Sequence, residues 1–486
     1  MTKSRIRALL VACWVAALPS SGVAWSAPLA IRDVTLIDGT GGPVRPGVTV
    51  LIDGGRIAAI SSARPPKGAR IIEGRGRYLL PGFIDSNVHL TVYGKPDRRD
   101  TSAKYGDRNE ELGVEFAQRA LKLGITTMID SYGVLPPGIA VRDRIARGEV
   151  TGARLLVAGN IVGWGGPFSL TFSLTKESDL SFFQEKWNDL LTQGMGEELA
   201  DMTPDELRVA MNAYLDKGVD VVKYGGTSHF LRPSLIGFSP EQQRVIVEET
   251  HKRGKPVQTH STSPEGLRLS VEAGIDLIQH PELASRDLPD ALVALIVKKD
   301  VLCGMRPNFF TGEARRKHLA RRAEVEAAQA KLPPPSTGAE RWRRFEALGE
   351  YEDIQWRNAK RLIAAGCRVT VATDSFFGDA PEFRRTPKPD YDEPGMGTVR
   401  AIEGLVELGM TPMQAIVAGT KNGAAAAFLS KELGTVEPGK VADLVLLDAD
   451  PLADIRNIEK VSAVISGGKL VDRDRLPEAP IFMVKP

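Results

Sequence analysis

Apolar and polar positions alternate with period two in short stretches at both ends of the chain, the pattern of half-buried strands. Residues 31–37 and 48–52 are two such stretches, and Asp53-Gly54-Gly55 turns tightly into 56–60. The C-terminal end repeats the pattern at 442–447 and 461–465, with Gly467-Gly468 turning into 469–471. Neither end alone has enough strands to bury a core. The two ends are therefore expected to pair into one small β-sandwich, left by the chain near Pro81 and rejoined near Leu433.

Between the ends, short apolar runs alternate with helical periodicity. Strands are predicted at 83–89, 125–130, 154–158, 219–224, 256–260, 275–280, 301–305 and 369–374. Helices are predicted at 113–123, 204–217, 240–253 and 264–273. Thr203-Pro204, Ser239-Pro240, Ser263-Pro264 and Thr411-Pro412 each read as an N-cap followed by proline at the first helical position. Eight strands alternating with helices predict an α/β fold, a parallel (β/α)8 TIM barrel. A doubly wound sheet is the alternative, but no Gly-x-Gly-x-x-Gly follows the first strand. Two connections, near 160–218 and 306–368, exceed ordinary barrel loops. Both leave the C-terminal face, as a lid or specificity wall, or as an oligomer contact or solvated decoration.

Composition narrows the setting. Residues 1–26 read as an export signal: Lys3, Arg5 and Arg7 precede an apolar run at 8–18, with small residues at Gly22, Ala24 and Ser26. That run is too short to span a membrane, and no other segment does better, so the mature chain is expected to be periplasmic or secreted. Leu10-Val11-Ala12-Cys13 also resembles a lipobox, which would make Cys13 a lipid anchor. Without the leader, 63 Lys+Arg become 60 against 61 Asp+Glu. A formal charge of −1 gives no electrostatic case for nucleic acid. Cys303 and Cys367 then remain, on neighbouring predicted strands, and are expected as buried thiols. The oligomeric state is open, and a homo-oligomer is compatible with the pattern.

Polar residues gather where a barrel carries its site. The strands end in Asp85-Ser86-Asn87-Val88-His89, Lys223-Tyr224, Thr259-His260, Gln279-His280 and Thr373-Asp374. A histidine at one strand end is ordinary; three, with a Lys and an Asp in the same layer, point to one site. Imidazole with carboxylate suits Zn2+ or a similar divalent ion. Lys223, in an apolar strand, has a lowered pKa. Its neutral amine can add CO2 to become an anionic carbamate; pairing with Asp374 is the plainer alternative.

These motifs resemble the metal-dependent amidohydrolase superfamily, in its imidazolonepropionase-like and Xaa-Pro dipeptidase-like branch. The likeness rests on 78–85 entering the first strand, on His260 and His280, on 371–374 and on 433–445, and it covers nearly all of the mature chain. It implies a distorted barrel at 81–433 and a β-sandwich from 27–80 and 434–486. It also implies one or two divalent ions. His89 and Asp374 would bind the first, His260 and His280 the second, and Lys223 would bridge as a carbamate. Two departures matter. Asn87-Val88-His89 stands where His-x-His is usual, so the first metal site should be weakened or lost. Gly165-Gly166-Pro167 stands where relatives often carry Gly-Gly-His, and His229 could replace that contact.

The implied reaction is metal-assisted hydrolysis of an amide C–N bond in a small-molecule amide or dipeptide, with Asp374 handling the proton. Alternatives are a lactone, ester or cyclic substrate on the same centre, or a decayed binding protein. His229 and Tyr224 are candidates for substrate contact. Trp164, Phe168, Phe172, Phe309, Phe310, Phe376 and Phe377 either line an apolar pocket or pack the lid. His251 and His318 are expected to be structural.

Overall fold

The computed structural model describes residues 27–91, 101, 104–231, 234–378, 380–383 and 387–482 of the chain. The expected leader at 1–26, with Cys13, lies outside the described residues. The first strands are β1 (Leu29–Leu36), β2 (Arg45–Asp53), β3 (Arg56–Ser61), β4 (Arg70–Glu73) and β5 (Tyr78–Pro81). The central strands are β6 (Phe83–His89), β7 (Ile125–Asp130), β8 (Arg154–Val157), β9 (Ile161–Val162) and β10 (Val222–Gly225). They continue as β11 (Val257–His260), β12 (Leu277–Gln279), β13 (Leu302–Met305), β14 (Val369–Val371) and β15 (Ser375–Phe376). The last are β16 (Leu444–Leu447), β17 (Val461–Ser466) and β18 (Lys469–Leu470).

The two chain ends do pair, along the antiparallel seam of β5 and β16, where Leu80 faces Val445. They make one sheet rather than the two separate sheets of a sandwich, in the order β18-β17-β16-β5-β1-β2-β3 with β4 on β1. That sheet folds back on itself. Arg56 bridges Val441, and the Ala442 N–H donates to the Gly55 carbonyl, so the β3 edge returns to the flank of β16. Val34, Leu36, Val50, Ile52, Leu444, Leu446 and Ile465 fill the fold. The turns Gly54-Gly55 and Gly467-Gly468 both use positive φ, as two-residue hairpins require. They also abut: a Cβ on Gly468 would lie 2.5 Å from the Gly55 Cα.

The central strands are parallel and buried on both faces, and they enclose polar residues, as in Phe83–His89 and Val257–His260, along with the apolar ones. Hydrogen bonds divide them into two arcs, β15-β6-β7-β8 and β9-β10-β11-β12-β13-β14. The arcs meet just past the predicted third and eighth strands, where β8 is followed by the separate β9 and β14 by the separate β15. Side chains cross the second break: Ser86 and Thr370 hydroxyls are 3.0 Å apart, and Asp85 accepts from Thr373 N–H at 3.0 Å. Thr203, Ser239, Ser263 and Thr411 cap their helices as expected, each accepting a backbone N–H three residues on.

One expectation is overturned. Cys303 and Cys367 are not free thiols; they form a disulfide with Cα atoms 6.4 Å apart. Cys303 lies on β13, and its N–H donates to the Arg368 carbonyl, so parallel pairing with the β14 segment brings the two cysteines within disulfide reach. No helix among the described residues is long and apolar enough to cross a membrane.

Candidate active site

The C-terminal ends of the central strands surround a cavity of about 320 Å³. His89 ends β6, Lys223 sits in β10, His260 ends β11, and His280 follows β12 directly. Asp374 occupies the break between β14 and β15. All five line the cavity. His280 and Asp374 have left-handed backbones, with φ of 40° and 60°. Such conformations cost on the order of 1–3 kcal/mol each and persist where the surroundings impose them, commonly at functional sites.

Asp374 is held from both sides. Its Oδ1 accepts from Asn87 Nδ2 at 2.9 Å and lies 2.9 Å from His89 Nε2; its Oδ2 accepts from Arg306 Nη1 at 3.3 Å. His89 Nδ1 is 3.2 Å from the Tyr132 carbonyl, so both ring nitrogens face acceptors. Burial alone would raise the Asp374 carboxyl, but the His89 hydrogen bond, with His89 and Arg306 beside it, holds it well below the usual carboxylate range. Asn87 spans Asp374 and Lys223, donating to the first and accepting from Lys223 Nζ at 3.4 Å. Lys223 is only 1% exposed, and burial pushes its pKa down to about 8 against the opposing charges of Asp374 and Asp130.

His260 Nδ1 and His280 Nε2 face each other at 3.2 Å. Burial keeps both rings well below the usual imidazole value and therefore neutral. Two imidazole nitrogens on a tetrahedral ion, with bonds of ~2.05 Å, lie about 3.3 Å apart. The pair therefore fits a divalent metal. Among the described residues, no three His, Cys, Asp or Glu side chains are grouped to hold a metal by themselves.

The other candidates divide. Tyr224 does not reach the cavity. It alternates with Lys223 along β10, so it points to the opposite face, where its hydroxyl donates to Gln243 Oε1 at 2.9 Å. His229 lines the cavity, its ring stacked on Phe172 at 4.3 Å and 2°. Trp164, Phe172 and Phe376 also line it, joined by Tyr132 and Trp187. Phe168, Phe310 and Phe377 are buried in packing instead, and the Phe309 ring lies under the Arg306 guanidinium at 5.3 Å. His251 and His318 pair with Asp276 and Asp353.

Sequence reasoning missed Arg306, Glu282, Asp130 and Tyr132. Glu282 is fully buried, and burial raises it to about 7 despite the opposing charge of Arg306. Asp130 is raised to about 6 by burial, with His89 opposing. The signal for all four is the one used for the others, position at or just past a predicted strand end.

The geometry has counterparts among known proteins. The amidohydrolase family profile matches residues 78–471. Ochratoxinase from Aspergillus niger is 25% identical over 458 residues, spanning 90% of this chain and 85% of that protein. Among solved structures, molinate hydrolase is similar at a TM-score of 0.83 and 30% identity, over 95% of this chain and 98% of its own. Phenylurea hydrolase B is similar at a TM-score of 0.82 and 32% identity, over 95% and 100%. With the profile covering most of its length, the chain belongs to the amidohydrolase family and is a hydrolase acting on carbon–nitrogen bonds.

Proposed function

We propose that this protein is an exported, metal-dependent hydrolase that cleaves the amide-type bond of a small molecule carrying an aromatic or bulky apolar group. The observation that carries this reading is an aromatic-walled cavity built directly over His260, His280, Lys223 and Asp374. The relatives named for hydrolysis of molinate, phenylureas and ochratoxin support it. The two parallel arcs are read as one distorted (β/α)8 barrel at 81–433, with the folded-back sheet formed by 27–80 and 434–486. Export to the periplasm or beyond is supported by the leader pattern and by a disulfide, which persists in oxidising compartments.

His260, His280 and Lys223 would hold one divalent ion, zinc or a similar metal. A lysine titrating at about 8 is neutral often enough at physiological pH to add CO2, and the carbamate would be the anionic oxygen donor that the histidine pair lacks. The ion would supply water activation and carbonyl polarisation. The chain's own groups do the rest. Asp374 takes a proton from the attacking water and returns it to the leaving nitrogen. Asn87 and His89 fix that carboxylate. Tyr132, Trp164, Phe172 and Trp187 exclude water and orient the apolar group.

The test combines metal analysis with amine release from anilides, N-alkyl amides, N-acyl amino acids and dipeptides. Chelator-sensitive amine release is expected, and Asp374→Asn should lose turnover while keeping its metal. Turnover of esters or lactones alone, or activity that survives metal removal, would overturn the reading.

A further inference from the structure

Arg306 directly follows β13 and lines the cavity, with a side chain 15% exposed. Two contacts hold its guanidinium and a third anchors its backbone. Its backbone N–H donates to Glu282 Oε1 at 3.1 Å, its ring partner Phe309 lies 5.3 Å away, and its Nη1 donates to Asp374 Oδ2 at 3.3 Å. The group sits between two carboxylates, yet it uses few of its donors on them. Nε is 4.0 Å from Glu282 Oε1, beyond hydrogen-bond range, and has no partner. Among the described residues only Nη1 of this side chain is hydrogen-bonded. Glu282 Oε2 is likewise buried and unpartnered. A counter-ion serving structure alone would be expected to satisfy these groups, since an unmet buried donor is costly.

We propose that Arg306 is a catalytic residue: its Nη2, left without a hydrogen bond while the buried Nε faces Glu282, receives the carbonyl oxygen of the scissile bond and holds the negative charge that develops there. The inference rests on the amide-hydrolase reading above. It follows from three features of the wall. The guanidinium keeps its charge at any working pH. It is held in place before substrate arrives, which is what makes a charge-stabilising donor effective. It also touches Asp374, so the oxygen gaining charge and the carboxylate gaining a proton would lie side by side. Asn87 adds the need. Its amide is engaged with Asp374 and Lys223 rather than presented to the cavity as an imidazole would be, so that side of the site lacks an electrophile. In the step itself, a water proton passes to Asp374 as the new C–O bond forms, and the carbonyl π pair moves onto the oxygen facing Arg306. Collapse restores the C=O bond and breaks C–N, and the proton passes from Asp374 to nitrogen. One water is consumed and an acid and an amine leave.

The test uses Arg306→Ala and Arg306→Lys in the metal-loaded full chain, on whichever amide the wild type cleaves. Arg306→Ala should lower kcat by ~10²-fold or more with a much smaller change in KM and unchanged metal content. Added methylguanidinium should restore part of that kcat, and Arg306→Lys should fall between. Calorimetry supplies a readout apart from turnover: an N-phenyl methylphosphonamidate, tetrahedral and anionic, should bind Arg306→Ala more weakly by a similar factor, while acetanilide binds both alike. An unchanged kcat overturns the proposal. So does a loss confined to KM for substrates bearing a carboxylate, which would make Arg306 a specificity anchor. Loss of metal or fold in both variants, without rescue, would make it a structural counter-ion. If the wild type cleaves no amide at all, the reading of the site fails; if it is active and Arg306→Ala matches it, only this proposal fails.

Discussion

Replacing Lys223 by methionine should stabilise the metal-free protein at neutral pH while abolishing its activity. Lys223 is buried within β10 between Val222 and Tyr224, both themselves buried. Burial moves its pKa from 10.5 to about 8. At about 1.36 kcal/mol per unit, holding the charged amine in this place costs roughly 3 kcal/mol. The sign is fixed by proton binding. Between pH 8 and 10.5 the unfolded chain binds more protons than the folded one, so stability rises with pH across that window. Below pH 8 the amine is charged in both states and the whole penalty applies. Methionine keeps the apolar stem and removes the charge. It also removes the 3.4 Å hydrogen bond to Asn87 Oδ1, a loss of about 1 kcal/mol. The net expectation is a gain of roughly 2 kcal/mol at pH 7 that gives way to a loss of about 1 kcal/mol above pH 10.5, where only the missing hydrogen bond counts. Urea unfolding of wild type and Lys223→Met, stripped of metal and CO2, measures the difference at both pH values. A variant less stable than wild type at pH 7, or a difference that does not change with pH, would refute the reasoning.

Three further outcomes are expected. The disulfide between Cys303 and Cys367 closes a long loop, with a sequence separation of 64. By chain entropy that link is worth about 4 kcal/mol, so reduction should lower the unfolding midpoint, and two titratable thiols in the oxidised, denatured mature chain would contradict the pairing. Asn87→His should raise metal content above one ion per chain, as read by elemental analysis; two tightly held ions already present in the wild type would show that the amide does not limit the first position. Tyr224→Phe should cost about 1 kcal/mol through its lost hydrogen bond with Gln243 and leave kcat/KM within a factor of two; a tenfold fall would return Tyr224 to the substrate.

The parts of this molecule legible in its sequence are those set by local rules. Four Ser or Thr residues before proline cap four helices because the cap is a contact across three residues. The site histidines were visible because strand ends are readable from apolar runs. Tyr224 misled for a reason of parity: Lys223 faces inward, and its neighbour on a strand must face outward. The two cysteines were read on neighbouring strands, but the register that sets Cys303 beside the segment before β14, and so brings the sulfurs together, is a tertiary fact that neither cysteine's own surroundings in sequence encode. Arg306 and Glu282 stand just past strand ends, the position that marks the site, but read there as ordinary charged residues, and burial is what sets them apart. The positive φ of His280 and Asp374 had no sequence mark, since neither residue is glycine.

Asn87 invites the reading of a decayed site, and the distribution of unsatisfied groups argues against it. Asn87 itself is engaged at both ends of its amide, and Asp374 has donors on both oxygens. The buried polar atoms left without partners include Glu282 Oε2, Arg306 Nε and the Tyr132 hydroxyl, all at or beside one cavity. Each unmet buried group costs on the order of 1–3 kcal/mol, so this cluster is a concentrated destabilisation. A site that bound nothing would relieve it most simply by substituting apolar side chains, as the neighbouring Trp164, Phe172 and Phe376 positions already do. Charged and polar groups held unpaired against such walls are instead what a site needs when its partners arrive with the substrate and the metal.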